Sequence, residues 1–210
     1  MLESTLRIIL TALFIMGCSN IPDTQTPYSI VSKANCSGPS GEYHTELHAT
    51  TDGYTRFIQS YPNDKERYDA ISYGDTLGFT LNRDKVDRWT DIPEIAVGKG
   101  HMFHMIAIEP AFIFTLTADQ RYLDSTGRII SIKNDSTGAR IHSFELTNPF
   151  DSAELIEIYY SNWELVDGHE LPMHVKIVQG GENEFYFDFY EVKIDDPTFT
   201  KVEPNQELSH

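Results

Sequence analysis

Short runs of alternating apolar and polar residues, broken at regular intervals by turn signals, constrain this chain more than any other feature. The turn signals are Asp52-Gly53, Pro62-Asn63-Asp64, Gly74-Asp75, Asn82-Arg83-Asp84, Thr126-Gly127, Thr137-Gly138, Asp167-Gly168 and Gly180-Gly181. Most neighbours lie about ten residues apart, the spacing of a meander of short antiparallel strands. Between them, Tyr43, Leu47 and Ala49 alternate with Glu42, His44, Glu46 and His48. Leu171, Met173, Val175 and Ile177 alternate with Pro172, His174 and Lys176, and His142, Phe144 and Leu146 with Ile141, Ser143 and Glu145. Because successive side chains of a strand point to opposite faces, a period of two marks a sheet with one buried face.

The pattern is clearest in the C-terminal third. Runs 154–166, 170–178 and 183–194 are joined by Asp-Gly and Gly-Gly, dipeptides that suit the positive φ angles of two-residue hairpins. The last run has Phe185, Phe187 and Phe189 on one side and Tyr186, Tyr190, Val192 and Ile194 on the other. Such a strand is either covered on both faces or switches sides at a bulge near Tyr190. One region breaks the alternation: Met102, Met105 and Ile106 recur at helical spacing, predicting a short apolar helix from about Gly100 to Ile108, ended by Pro110. The fold class is therefore mainly β, one antiparallel sheet with a short helical lid. A sheet with one apolar face must cover it. A single short helix leaves part of it bare, and Met and aromatic side chains make an adaptable lining. Met102, Met105, Ile106, Phe144, Met173 and Phe187 are the candidate lining of that groove.

The N-terminus reads as an address. Ile8–Met16 is an unbroken apolar run. As a helix it rises about 13 Å, well short of a bilayer core of about 30 Å, so it fits the h-region of a signal peptide and not a membrane span. Ile15-Met16-Gly17-Cys18 resembles the lipobox of bacterial lipoproteins, with Met16 bulkier than usual there. The resemblance implies that Cys18 is acylated after cleavage, which anchors the protein to a membrane. Ser19 resembles the outer-membrane sorting signal of Gram-negative lipoproteins. Residues 18–40, rich in Ser, Thr, Asn, Pro and Gly, read as a flexible tether. The expected organisation is a signal peptide at 1–17, the tether at 18–40, a domain at 41–202 and a disordered tail at 203–210.

The stretch Trp163-Glu164-Leu165-Val166-Asp167-Gly168-His169-Glu170-Leu171-Pro172, followed by an amphipathic strand, Gly-Gly, an aromatic strand and Asp196-Pro197-Thr198-Phe199, resembles the C-terminal hairpins of LolA/LolB-like lipoprotein carriers and receptors. That resemblance covers about residues 155–200. It implies an incomplete, curved antiparallel barrel whose open face is plugged by short helices and binds acyl chains. Two positions bear on it further. Arg56 stands where the carrier's lid-holding arginine is expected, and the hairpin near Tyr61–Arg67 lacks the exposed Leu of the receptor.

Other chemistry is thinly represented. A net charge of -16 excludes phosphate-backbone binding as a main activity, so no nucleic-acid partner is expected. If Cys18 carries lipid, Cys36 is an unpaired thiol in a loop-like stretch and receives no role. His44 and His48 lie about 13 Å apart along a strand, too far to share an ion. His101 and His104, if helical, share a face and are the candidate metal ligands, with Glu94 or Glu109 as a third. No nucleophile elbow, dinucleotide loop or phosphate loop is present, so no catalytic residue and no cofactor is expected. The leading expectation is a non-catalytic, outer-membrane-anchored envelope protein that holds a hydrophobic small molecule or lipid, with an envelope protein as a further partner. The alternatives are a metal-dependent envelope hydrolase using His101 and His104, and an envelope scaffold with a filled core.

Overall fold

The computed structural model describes residues 28–62, 67–82 and 85–203. The lipobox, Cys18 and the tail beyond residue 203 lie outside these residues, as do residues 63–66 of the 61–67 hairpin.

Six strands come first: β1 (Ser29–Gly38), β2 (Gly41–Thr50), β3 (Tyr54–Ser60), β4 (Arg67–Tyr73), β5 (Leu77–Asn82) and β6 (Lys85–Trp89). Two helices follow, α1 (Ile92–Gly100) and α2 (Phe103–Ile108), and then a 3-10 turn at Pro110–Phe112. Seven further strands follow among the described residues: β7 (Thr115–Leu116), β8 (Tyr122–Leu123), β9 (Ile129–Asn134), β10 (Ile141–Thr147), β11 (Leu155–Val166), β12 (His169–Gln179) and β13 (Asn183–Ile194). All thirteen form one sheet in the order β6-β5-β4-β3-β2-β1-β13-β12-β11-β10-β9-β8-β7. It is thus two meanders stitched together at the centre, where β1 and β13 pair antiparallel. The helices connect the two outer edges, β6 to β7, and cross the sheet's inner face to do so.

The sheet curves without closing into a barrel. β4 and β10 are seven strand spacings apart, about 34 Å in a flat sheet. Their neighbourhoods nevertheless face one another across a single cavity. Bulges supply part of the bend, because an extra residue kinks one strand and deepens its twist. The central one falls where Ala34 pairs with Phe189 and Lys33 with Glu191, leaving Tyr190 as the extra residue. Phe185, Phe187 and Phe189 thereby share the inner face with Val192 and Ile194, so the last strand switches sides at Tyr190. A second bulge, between Ile141 and Ser143, corrects the expected alternation of β10. His142 turns outward onto Tyr159, with ring centroids 6.2 Å apart, while Phe144 and Leu146 stay inside.

Turn chemistry sets the register. Asp167 (φ 47°) and Gly168 (φ 86°) form the two-residue loop closed by the Val166–His169 pair. The Gly180-Gly181 turn has one residue more than a two-residue hairpin, since Gln179 pairs with Asn183.

Three sequence expectations need correction. Ser29–Gly38, assigned by composition to the tether, forms β1 at the centre of the sheet. Its alternation of Ile30, Ser32, Ala34 and Cys36 is masked by small polar residues on the buried side. The single helix is in fact two. Pro93 starts α1 where its missing N–H costs nothing, and Glu94 and Lys99 suit the positive and negative ends of the helix. His101 and Met102 then break the run before α2. Finally, Arg56 faces away from the helices, in a fork with Asp69 at 2.8 Å and 2.6 Å, because it alternates with the inward Phe57. It cannot hold the lid.

The C-terminal segment covers the outer face. Phe199 and Val202 pack on Tyr54, Ile71 and Phe79. Lys201 binds Asp52 at 2.5 Å and lies over the rings of Tyr28 and Tyr54. This is why His48, on the polar side of β2, is buried: Phe199 sits 5.7 Å from its ring.

Candidate functional site

The main core lies between the inner face and α2. Met102, Phe103, Met105 and Ile106 pack onto Phe144, Tyr160, Val175, Phe187 and Phe189 from the C-terminal half and onto Leu47 and Ile30 from the N-terminal half. Phe103 is the hub. Its ring lies 5.1 Å from Phe187, 6.1 Å from Phe189 and 6.4 Å from Tyr160, and its carbonyl accepts the Tyr160 hydroxyl at 2.9 Å. α2 therefore fills its half of the concavity.

α1 does not. Between it and the sheet lies a cavity of about 440 Å³, within the usual range for small-molecule sites of roughly 300–1,000 Å³. Tyr43, Phe57, Tyr68 and Ala70 line it from β2–β4, and Leu146, Ile156, Ile158, Ile177, Phe185 and Phe187 from β10–β13. Val97, Gly98, Gly100 and His101 form its roof. Polar groups are few: Gln59, Glu94, Asn148 and Gln179. Phe150, at 63% the most exposed phenylalanine among the described residues, lies on its border.

Of the six residues expected to line the groove, Phe187 does so. Met102, Met105, Ile106 and Phe144 are at most 2% exposed and belong to the solid core under α2. Met173 is half-buried against that core. The open space moved from α2 to α1 because the apolar stripe that marks α2 in the sequence is what lets it dock tightly. α1 carries Gly98 and Gly100 where a docked helix would carry bulk. Those glycines in a helix, opposite an aromatic strand, were the available signal.

Contacts at both ends hold α1 over the cavity. Gly78 gives way to Ile95: a Cβ there would come within 2.9 Å of the Ile71 carbonyl and 3.1 Å of Ile95. At the other end Lys99, only 7% exposed in its side chain, pairs with Asp75, which also accepts from Ser125 at 2.8 Å. Burial alone would raise the Asp75 carboxyl pKa, but the hydrogen bonds from Lys99 and Ser125 outweigh it and hold it below the ordinary carboxylate range. Glu94, at the first turn, accepts from Arg88 and from the Tyr68 hydroxyl.

His101 stands in the helix break and His104 in the first turn of α2. His101 Nδ1 donates to the Val97 carbonyl at 2.8 Å, and its ring packs 4.9 Å from Phe57. His104 Nε2 donates to the Pro172 carbonyl at 2.9 Å, 4.4 Å from the Phe189 ring. Both are hydrogen-bonded aromatic packing groups. Among the described residues no three His, Cys, Asp or Glu side chains come together as a metal site. Cys36 is buried on β1, not on a loop, with Sγ 3.2 Å from the Thr45 hydroxyl; burial pushes its thiol up to about 12, which makes it unreactive.

Burial also pushes the His104 imidazole down to about 4, and His101 is lowered for the same reason. A histidine whose folded pKa is depressed binds its proton in the unfolded chain first. Its contribution is complete above the ordinary value near 6.5 and is lost as pH falls toward 4. For His104 that loss is on the order of 3 kcal/mol. Urea midpoints measured across this window are expected to fall, and to fall less steeply in His104→Leu.

No protein-family model matches the sequence, and a search of curated proteins finds no significant relative. Solved structures do match. A LolA superfamily protein from Nitrosomonas europaea superposes with a TM-score of 0.51 at 11% identity, over 82% of this chain and 90% of its own. A domain assigned to outer-membrane lipoprotein sorting, from Vibrio parahaemolyticus, gives 0.52 at 7% identity, over 80% and 85%. A DUF1329 family protein from Desulfovibrio piger gives 0.51 at 11%, over 82% and 88%. The curved, unclosed sheet with its helices on the inner face is a LolA-like fold.

Proposed function

We propose that this is a non-catalytic cell-envelope protein that carries a lipid, an acyl chain or another lipophile in the cavity under α1. The observation that carries this reading is the cavity itself: about 440 Å³ of mostly aromatic and aliphatic wall, left open where a filled core would close it. Strands β2–β4 and β10–β13 supply its opposite walls, so the site exists only in the curved sheet. One structural neighbour is a domain assigned to outer-membrane lipoprotein sorting and another is a LolA superfamily protein, which supports a carrier role in the envelope. Anchoring through an acylated Cys18 in the outer membrane is part of the same proposal, motivated by the Ile15–Cys18 motif. A protein partner in the envelope would then deliver or receive the cargo.

A polarity-sensitive apolar fluorophore tests the binding step. Titrated into the chain without its first 17 residues, it is expected to brighten with one saturable site and to be displaced by a long-chain alcohol. No saturable brightening, with the protein folded, would remove the carrier reading.

A further inference from the structure

The cavity is built in two layers. In the antiparallel sheet β3, β10 and β12 run in the same direction, so their C-terminal ends lie along one end of the sheet. Gln59, Asn148 and Gln179 stand at those ends, Asn148 one residue past β10. Two residues earlier on each strand, about 7 Å deeper, come Phe57, Leu146 and Ile177, all buried. Phe150, just beyond Asn148, is exposed and borders the same cavity, so the mouth is at this end. A side-chain amide offers both N–H and C=O. The three amides can therefore hold a polar head at the mouth without selecting its charge. The deep layer ends blind. Ring centroids run from Tyr43 to Phe187 at 6.2 Å, Phe187 to Phe103 at 5.1 Å, Phe103 to His101 at 5.6 Å and His101 to Phe57 at 4.9 Å, an unbroken aromatic floor. Beyond it, the space between α2 and Ile30, Leu47 and Ala49 is about 10 Å³, room for one water at most.

Capacity then follows from volume. A cavity of about 150 Å³ holds one benzene, so the space of about 440 Å³ under α1 holds on the order of eighteen carbons. We infer that the cavity takes a single alkyl or acyl chain, inserted tail first with its polar head left at the mouth, and turns away lipids that carry two or three long chains. One long chain fills the space between the amides and the aromatic floor. A second chain of that length finds no room beside it, and the solid packing under α2 offers none further on. It would be left in water, where each exposed methylene costs about fourfold in affinity, or it would keep the lipid in its bilayer. This inference rests on the carrier reading above and names its cargo class.

Two measurements on the chain without its first 17 residues test it. The first is displacement of the same fluorophore by single-chain phosphocholines of increasing chain length, each kept below its micelle concentration. Affinity is expected to rise about fourfold per methylene and to level off at about eighteen carbons. In Gly98→Leu, whose new side chain enters open space on the cavity roof, the levelling is expected about four carbons earlier, with the thermal midpoint reporting that the variant is folded. The second is native mass spectrometry after incubation with vesicles of a two-chain phosphatidylcholine doped with its single-chain homologue. One single-chain adduct and no two-chain adduct is the expected result. A two-chain adduct as abundant as the single-chain one, an affinity that climbs well past that limit, or a limit unmoved in folded Gly98→Leu would overturn the single-chain selection while the cavity stands. If no member of the series displaces the fluorophore, the carrier reading itself fails.

Discussion

Gly98→Phe is expected to leave the protein folded and to weaken amphiphile binding by about tenfold or more, because the new ring occupies the site. Gly98 lines the cavity from α1, and a Cβ built on it meets no atom within 4 Å. Its backbone is helical, so a side chain adds no strain, and replacing glycine in a helix contributes roughly 0.5 kcal/mol of helix propensity. The substitution thus separates site from fold, which few cavity-wall changes do. The measurements are fluorophore affinity and thermal midpoint on the same sample. An unchanged affinity would mean that the ligand lies elsewhere. A collapse of the midpoint would mean that the space under α1 is not open.

Phe103→Ala is expected to cost about 3–5 kcal/mol, the usual range for deleting a fully buried aromatic ring. Phe103 is completely buried and joins α2 to β11 and β13 through Tyr160, Phe187 and Phe189. Set against a typical total of roughly 5–15 kcal/mol, that loss unfolds a large fraction of a marginal protein. Phe150→Ala, at the exposed border of the cavity, is expected to cost about 0.5 kcal/mol or less. Urea denaturation of both variants checks the contrast. Equal losses, or a loss below about 1 kcal/mol for Phe103→Ala, would contradict the division into a solid half under α2 and an open half under α1.

The strands were legible because their turns are chemically explicit. Among the described residues the turn signals quoted from the sequence fall at the ends of strands or between them, and the bulge at Tyr190 follows from a strand that is apolar on both sides. β1 was hidden because its inner face carries Ser32, Ala34 and Cys36, small residues that fill a crowded centre without looking apolar. The burial of His48 was equally hidden, since it depends on Phe199, about 150 residues later in the chain.

The site was half legible. An apolar stripe such as Met102, Met105 and Ile106 says that a helix packs, not that it leaves space. Phe187 was found because it sits at the middle of the aromatic strand, below both helices. The roof was missed because it is made of absences: Gly98 and Gly100 carry no side chain to announce a role. Curvature, which brings β4 and β10 to one cavity, arises from twist and bulges summed over seven strand spacings and has no local signature.

Native mass spectrometry of the chain without its first 17 residues, incubated with a long-chain alcohol, tests the central claim most directly. The account predicts a one-to-one adduct that organic extraction removes and that Gly98→Phe fails to form. A bare polypeptide mass in the unaltered protein at every alcohol concentration, with the fold intact by circular dichroism, would contradict it.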